Sequence, residues 1–166
     1  MSSKLPVLAL AALALSACAT PRPASPVTYR GAPQEQWLQG QKAYEAWSAT
    51  RRGWTTTPSG LQYHRDKAAP EGAKPAPGAT VTIHYVGRFI DGRVFDSSRA
   101  RNEPATFPLN RLIKGWQEGV PMMRVGETWS FVIPAAIAYG DRDRPPIPPG
   151  STLLFEIELI AIPPEG

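Results

Sequence analysis

The segment from Val81 to Ser98 constrains the fold of this chain more than any other stretch of its sequence. From Val81 to Tyr85 apolar residues alternate with polar ones, which is the period-two pattern of a half-buried β-strand. Asp91-Gly92 follows, and because glycine readily adopts positive φ, this pair predicts the tight turn of a β-hairpin. The second strand ends in Phe95 and Asp96. A carboxylate beside core aromatics is costly unless it is paired or hydrogen-bonded, so Asp96 is a candidate functional residue.

The rest of the pattern predicts an α+β fold. Three further stretches alternate like strands: Leu61–Tyr63, Thr128–Ile133 and Leu153–Ile160. The stretch Asn110–Val120 instead carries apolar residues at helical spacing, with its first residue as a candidate N-cap. Several antiparallel strands and one short helix predict a curled antiparallel sheet wrapped around that helix.

The beginning of the chain predicts a protein of the cell envelope. Residues 1–17 join a basic start to an apolar run that is too short to span a bilayer and has the proportions of a signal-peptide core. Leu15-Ser-Ala-Cys18 resembles the bacterial lipobox, so Cys18, the only cysteine, is the predicted site of lipidation. In the alternative, residues 1–17 are an ordinary secretory signal and Cys18 is incidental. By resemblance to bacterial lipoproteins, Ala19 favours anchoring in the outer membrane, facing the periplasm.

Composition divides the remaining chain into three parts. Residues 18–33 contain four prolines and few large apolar side chains, which predicts a semi-extended tether. Residues 34–54 are rich in helix formers and predict an N-terminal helical extension. Residues 55–166 carry the strand patterns and predict one domain, long enough to bury a core of its own.

The predicted helix over residues 34–52 has an apolar stripe. Trp37, Tyr44 and Trp47 recur at helical spacing, with Gln41 between them. This stripe favours a helix that packs on its own domain. The alternative is that residues 34–52 form a homodimer or bind client proteins.

Several classes of function are disfavoured by the sequence. The formal net charge of +4 is spread along the chain, with no Lys/Arg run longer than Arg51-Arg52, so no nucleic-acid partner is predicted. The chain lacks a Gly-x-Ser-x-Gly nucleophile motif, a His-Glu-x-x-His zinc motif and a phosphate-binding glycine loop. His64 and His84 lie on different predicted strands without a close third ligand, so we predict no metal and no cofactor.

Aromatic residues are concentrated in the second half of the chain. They are Tyr85, Phe95, Phe107, Trp116, Trp129, Phe131, Tyr139 and Phe155. The simplest interpretation is a hydrophobic core. A small domain with this many rings can also leave some of them lining a concave apolar pocket.

Short motifs follow one another in order along residues 59–163. They include His84-Tyr85-Val86-Gly87, Val94-Phe95-Asp96-Ser97-Ser98, Ile113-Lys114-Gly115-Trp116, Ala138-Tyr139-Gly140, Ile147-Pro148-Pro149 and Leu153-Leu154-Phe155. This series resembles the FKBP-type peptidyl-prolyl cis-trans isomerases, the immunophilin class that binds tacrolimus. The resemblance implies an enzyme that isomerises X-Pro bonds of unfolded or partly folded envelope proteins, and it implies macrolide inhibitors as further ligands. The alternative is a chaperone or binding module that holds proline-containing apolar segments without turnover.

The resemblance also implies roles for individual residues. Those that it places at the catalytic centre are Asp96, Tyr139, Tyr85 and Phe95. Those that it places in substrate binding are Trp116, Phe155, Ile113, Leu112, Phe107, Ile147 and Arg101. Trp116 would form the pocket floor, while the Ile113 N–H and the Tyr139 hydroxyl would bind substrate carbonyls. Asp96, held by Tyr85 or Arg101, would lie near the twisting amide.

Such chemistry needs no nucleophile, because the barrier of about 18–20 kcal/mol comes from amide resonance. A dry pocket that favours the twisted, less polar amide would lower it. Compared with the family, this chain has Ala105 in place of a frequent pocket Phe, Arg111 in place of a frequent acidic residue, and a charged loop at residues 141–146. These differences predict a rim that is more open near Ala105 and more cationic near Arg111.

Overall fold

The computed structural model describes residues 33–164, in which an antiparallel sheet curls around a short helix, as predicted. The strands are β1 (Thr55–Thr56), β2 (Gln62–Lys67), β3 (Thr80–Phe89), β4 (Val94–Ser97), β5 (Ala105–Pro108), β6 (Thr128–Ile133) and β7 (Leu153–Ala161). The α-helices are α1 (Gln34–Ala49) and α2 (Lys114–Gly119). The strand order is β1-β2-β6-β7-β3-β4, and β5 pairs with β3. The predicted signal, the lipidation site Cys18 and nearly all of the tether lie outside the described residues.

The alternating patterns locate the core on the concave side of the sheet. Along β7 the apolar residues Leu153, Phe155, Ile157 and Leu159 are buried, while the glutamates between them face outward, as the sequence predicts. β3 pairs with β7 so that Gly87 lies opposite Phe155 and Tyr85 opposite Ile157. The central strands therefore bring aromatic residues from two distant parts of the chain to one place.

The hairpin between β3 and β4 forms as predicted. Gly92 adopts a φ of +94°, and the Phe89 N–H donates to the Arg93 carbonyl at 2.9 Å. This turn carries Phe95 and Asp96 back alongside β3, where Asp96 pairs with Gly87.

The prediction of one continuous helix over Asn110–Val120 is wrong. The chain forms a 3₁₀ turn at Leu109–Arg111, becomes extended at Leu112 with φ −97° and ψ 174°, and begins α2 only at Lys114. Ile113, not Asn110, is the N-cap, and it caps without a side-chain hydrogen bond. The helical spacing misled because the buried Leu109 anchors the 3₁₀ turn, with its N–H donating to the Ala79 carbonyl at 3.0 Å. The extended residues after this turn border a cavity.

α1 packs on its own domain, as favoured, although it ends at Ala49 and not at Arg52. The Trp37 Nε1–H donates to the Pro149 carbonyl at 3.0 Å, and the Thr152 N–H donates to Gln41 Oε1 at 2.9 Å. The buried side chains of the helix are Trp37, Gln41, Tyr44 and Ser48. Among residues 33–164, no helix has both the length and the apolar character that a membrane crossing requires.

Candidate active site

A cavity of about 590 Å³ opens between α2, the hairpin and the loop before β7. Its walls include nine of the predicted site residues: Tyr85, Phe95, Asp96, Phe107, Leu112, Ile113, Trp116, Tyr139 and Phe155. Its volume lies within the range of about 300–1,000 Å³ that is usual for small-ligand sites. The structure therefore brings together residues that are up to seventy positions apart in the sequence.

The apolar part of the cavity is built from aromatic rings in edge-to-face contact. The centroids of Trp116 and Phe155 lie 5.0 Å apart at 86°, those of Tyr85 and Trp116 5.4 Å apart at 75°, and those of Phe95 and Phe155 5.6 Å apart at 90°. Such geometry is favoured by the ring quadrupoles and fixes each ring against its neighbours. The result is a rigid apolar floor and wall.

Two glycines make this arrangement possible. A Cβ at Gly115 would lie 2.5 Å from Ile133 Cγ2, so only glycine lets α2 approach the sheet this closely. A Cβ at Gly87 would lie 2.6 Å from Phe95 Cζ and 2.9 Å from Phe155 Cε1. Both glycines thus provide space for the residues that form the cavity.

The one carboxylate in the cavity wall is held by two donors. The Tyr85 hydroxyl donates to Asp96 Oδ2 at 2.6 Å, and Arg101 Nη1 donates to Asp96 Oδ1 at 2.6 Å. Arg101 Nη2 also donates to the Tyr85 hydroxyl oxygen at 3.0 Å. The prediction named Tyr85 or Arg101 as the partner of Asp96, and the structure shows both contacts.

These contacts keep Asp96 ionised. Its partial burial acts to raise its pKa, but the hydrogen bonds from Tyr85 and Arg101 and the charge of Arg101 outweigh this, so the pKa of Asp96 lies below its usual range. Burial and the hydrogen bond to Asp96 raise the pKa of Tyr85 above its usual value. At neutral pH the pair therefore consists of a carboxylate and a neutral phenol. Asp96 offers a fixed negative charge and no proton to transfer.

Two further polar groups of the cavity are free to bind a ligand. Neither the Ile113 N–H nor the Tyr139 hydroxyl makes a hydrogen bond to any residue within 33–164. The Ile113 N–H has no intrahelical acceptor because Ile113 is the extended N-cap of α2, with φ −61° and ψ 150°. An extended residue before a short helix thus presents an unpaired donor to the cavity.

Two predicted site residues do not line the cavity. Ile147 is 6% exposed and belongs to the hydrophobic core. Arg101 acts on the cavity only through Asp96 and Tyr85.

Five further residues line the cavity without having been assigned to the site from the sequence. They are Arg111, Lys114, Gln117, Ala138 and Arg144. Arg111 had been noted only as a departure from the family, and Lys114 and Gln117 flank Trp116 at positions that helical spacing does not assign to its face. Gln117 also donates to the Leu112 carbonyl at 2.7 Å and so braces the extended segment.

Comparison with known proteins identifies the class. Residues 71–160 match the family of the FKBP-type peptidyl-prolyl cis-trans isomerases, and the chain belongs to this family. It is 47% identical over 119 residues to the FKBP-type peptidyl-prolyl cis-trans isomerase FkpA of Aeromonas hydrophila, covering 72% of this chain and 44% of that protein. It is 50% identical over 130 residues to the FKBP-type 22 kDa peptidyl-prolyl cis-trans isomerase of Escherichia coli, covering 78% of this chain and 62% of that one.

Solved structures give the same class. The structure of a peptidyl-prolyl cis-trans isomerase from Pseudomonas syringae superposes with a TM-score of 0.73 at 34% identity, covering 79% of this chain and 96% of that chain. The structure of FkpA from Escherichia coli superposes with a TM-score of 0.72 at 39% identity, covering 76% and 59%. The chain spans about half the length of the relatives whose sequences it matches, namely 44% and 62% of the two named above.

Proposed function

We propose that this chain catalyses cis-trans isomerisation of X-Pro peptide bonds, with the proline ring in the aromatic cavity. The observation that carries the proposal is the Asp96 carboxylate, ionised at neutral pH and held by Tyr85 and Arg101 in the wall of a largely aromatic cavity. Membership of the isomerase family and the free donors at Ile113 and Tyr139 support it.

The geometry suggests how the barrier would fall. With a proline ring on Trp116, the preceding amide would lie in the same cavity as the Asp96 carboxylate and the donors of Ile113 and Tyr139. Twisting this amide removes its resonance and leaves partial positive charge on the carbonyl carbon. The Asp96 charge favours that state electrostatically, and the aromatic walls exclude the water that favours the planar, polar amide. The two donors then hold carbonyls of the peptide while the bond rotates.

The test is the exchange rate between cis and trans forms of an X-Pro peptide, measured by exchange NMR with residues 33–166. Asp96→Ala should lower kcat/KM at least about ten-fold, because the charge that favours the twisted amide is gone. Tyr139→Phe should lower it about five-fold, the effect of one hydrogen bond.

Asp66→Ala is the matched control for Asp96→Ala. Asp66 is an exposed carboxylate on β2 that contacts His64 and lies outside the cavity wall. If both site variants retain wild-type turnover, the assignment of these residues is wrong. If the wild type binds the peptide but does not accelerate exchange, the chain is a binding module for proline-containing segments.

We also propose that the protein works in the cell envelope, anchored through a lipid on Cys18. The resemblance of residues 15–18 to a lipobox supports this. So does a relative from Legionella longbeachae that is named outer membrane protein MIP and is 43% identical over 121 residues, covering 72% of this chain and 52% of that protein. The clients would then be X-Pro segments of envelope proteins. Cys18→Ala should move the protein from the membrane to the soluble fraction, whereas an unchanged distribution would refute the anchor.

The same cavity should bind macrolides of the tacrolimus class, since its volume and aromatic lining suit a bulky apolar ligand. Competitive inhibition of peptide exchange tests this.

Self-association through residues 34–52 would have to use the exposed face of α1, because the apolar stripe is buried against the sheet. Light scattering that gives the mass of one chain would assign α1 to the domain alone, and twice that mass would show a dimer.

A further inference from the structure

A second cavity, of about 580 Å³, adjoins the aromatic cavity. The two share four wall residues: Lys114, Ala138, Tyr139 and Arg144. A peptide whose proline ring fills the aromatic cavity can therefore continue past Tyr139 into the second cavity. This second cavity is placed to receive the residues that flank the proline.

The route between the cavities is bordered by exposed cations. They are Arg111, Lys114, Arg142 and Arg144. None of them forms an ion pair with a carboxylate of residues 33–164, whereas Arg93, Arg99 and Arg101 each do. Among the described residues, Asp143 is the one acidic side chain that lines the second cavity, and Asp96 in the first is neutralised by Arg101. The path therefore carries a net positive charge, since four cations stand against the one carboxylate of Asp143.

The loop that supplies two of these cations is held in place. The Arg144 guanidinium carbon lies 4.6 Å from the centre of the Tyr139 ring, at the boundary between the cavities. The Ile147 N–H donates to the Arg144 carbonyl at 2.7 Å, and Ile147 is buried in the core. At the base of the loop the Gly150 N–H donates to the Gly140 carbonyl at 2.9 Å. The cations thus face the route of the peptide from a braced loop.

We propose that the four cations along this route, here called the cationic rim, select clients that carry Asp or Glu close to the isomerised proline. This inference rests on the proposed isomerase function and adds a substrate class to it. Acidic side chains in the peptide would pair with the unpaired cations, which raises the rate of productive encounter and the occupancy of the cavity. The residue directly before proline would still be chosen by the aromatic walls.

Two peptides that share one Phe-Pro centre test the proposal. One carries two glutamates on each side of that centre, and the other carries glutamines at the same positions, so shape and intrinsic exchange rate stay matched. By exchange NMR in about 0.01 M salt, the wild type should process the glutamate peptide about five-fold faster in kcat/KM, from two or three exposed ion pairs. In about 1 M salt this ratio should fall toward one, because the Debye length is then only about 3 Å.

The double variant Arg142→Gln/Arg144→Gln should lower the ratio to about two, since two of the four cations remain. The ratio compares two peptides on one enzyme, so a general loss of activity does not affect it. Arg52→Gln/Lys74→Gln removes two exposed cations that do not line either cavity, and it should keep the wild-type ratio.

Each other outcome is decisive. Equal rates for both peptides at low salt would overturn the acidic-client proposal and leave the isomerase function standing. If neither peptide is accelerated, the proposed function fails and this inference fails with it. Equal peptide rates combined with rim-dependent binding to vesicles of anionic phosphatidylglycerol would assign the cations to a membrane surface instead.

Discussion

The two faces of the sheet are stabilised by different kinds of contact: aromatic ring packing on the concave face and hydrogen bonds to α1 on the other face. On the concave face, Tyr85 and Phe155 meet Trp116 through ring contacts, and the few polar groups present are either fixed, as in Asp96, or free to bind a ligand. On the other face, α1 is attached by hydrogen bonds such as that from Ser48 Oγ to Gln62 Oε1, at 2.5 Å, around a small apolar cluster. The first face remains open as a site, and the second is closed by the chain itself.

The closed face also supports the open one. Trp37 of α1 binds the Pro149 carbonyl, at the end of the loop that carries Arg144 and borders both cavities. Leu38 packs against Gly150 in the same segment. α1 thus holds the loop in position without contributing a side chain to the cavity.

Substituting neighbouring residues on the two faces of β7 should change stability and turnover more than any other variant considered below. Phe155→Ala removes a ring that contacts Trp116 and Phe95, so we expect a loss of about 3–5 kcal/mol in the free energy of unfolding and loss of peptide turnover. Leu154→Ala, on the α1 face, should cost about 2 kcal/mol, because this side chain is only partly buried, and should retain turnover. Urea unfolding with exchange NMR measures both. Similar losses of turnover in the two variants would remove the functional distinction between the faces.

Loss of the Trp37 hydrogen bond on the closed face should have an intermediate effect on stability. Trp37→Phe keeps an apolar ring but deletes the donor to the Pro149 carbonyl, so the free energy of unfolding should fall by about 1–2 kcal/mol. Gln36→Ala, on the exposed side of α1, is the control and should change stability by no more than about 0.5 kcal/mol. Equal stability of Trp37→Phe and the wild type would mean that the hydrogen bond from Trp37 to Pro149 does not stabilise the docked helix.

The smallest effect is expected in the pH dependence of turnover, which is governed by Asp96 on the open face. Because the pKa of Asp96 is lowered in the folded protein, its carboxylate persists below the pH at which a free Asp protonates, and turnover should be flat from neutral pH to about pH 5. The stability that Asp96 contributes is present above its unfolded pKa and is lost as pH falls through its folded pKa.

Arg101→Gln should raise the pKa of Asp96, which moves the acid limb of the turnover profile to higher pH, while Arg101→Lys should shift it less. A profile that is identical in all three proteins would show that Asp96 does not titrate in the rate-determining step.

The sequence predicted five of the seven strands and the hairpin because alternation and an Asp-Gly turn are local signals, whereas the short strands β1 and β5 were not predicted. It predicted most of the cavity wall through the ordered motifs, and it failed where the signal was ambiguous. The stretch Asn110–Val120 has apolar residues at helical spacing, yet the buried Leu109 and the contact of α2 with Ile133 impose a break that periodicity does not show. The bond from Trp37 to Pro149 was beyond prediction too, since every residue offers a backbone carbonyl.

The proposed isomerisation of X-Pro bonds on the open face can be tested with a single exchange rate. Residues 33–166 in substoichiometric amount are added to an X-Pro peptide, and the cis-trans exchange rate is measured by NMR against the peptide alone. Exchange should rise in proportion to protein concentration and exceed the spontaneous process, which takes about 10–100 s. A rate equal to that of the peptide alone, from a folded protein, would contradict the proposed isomerisation.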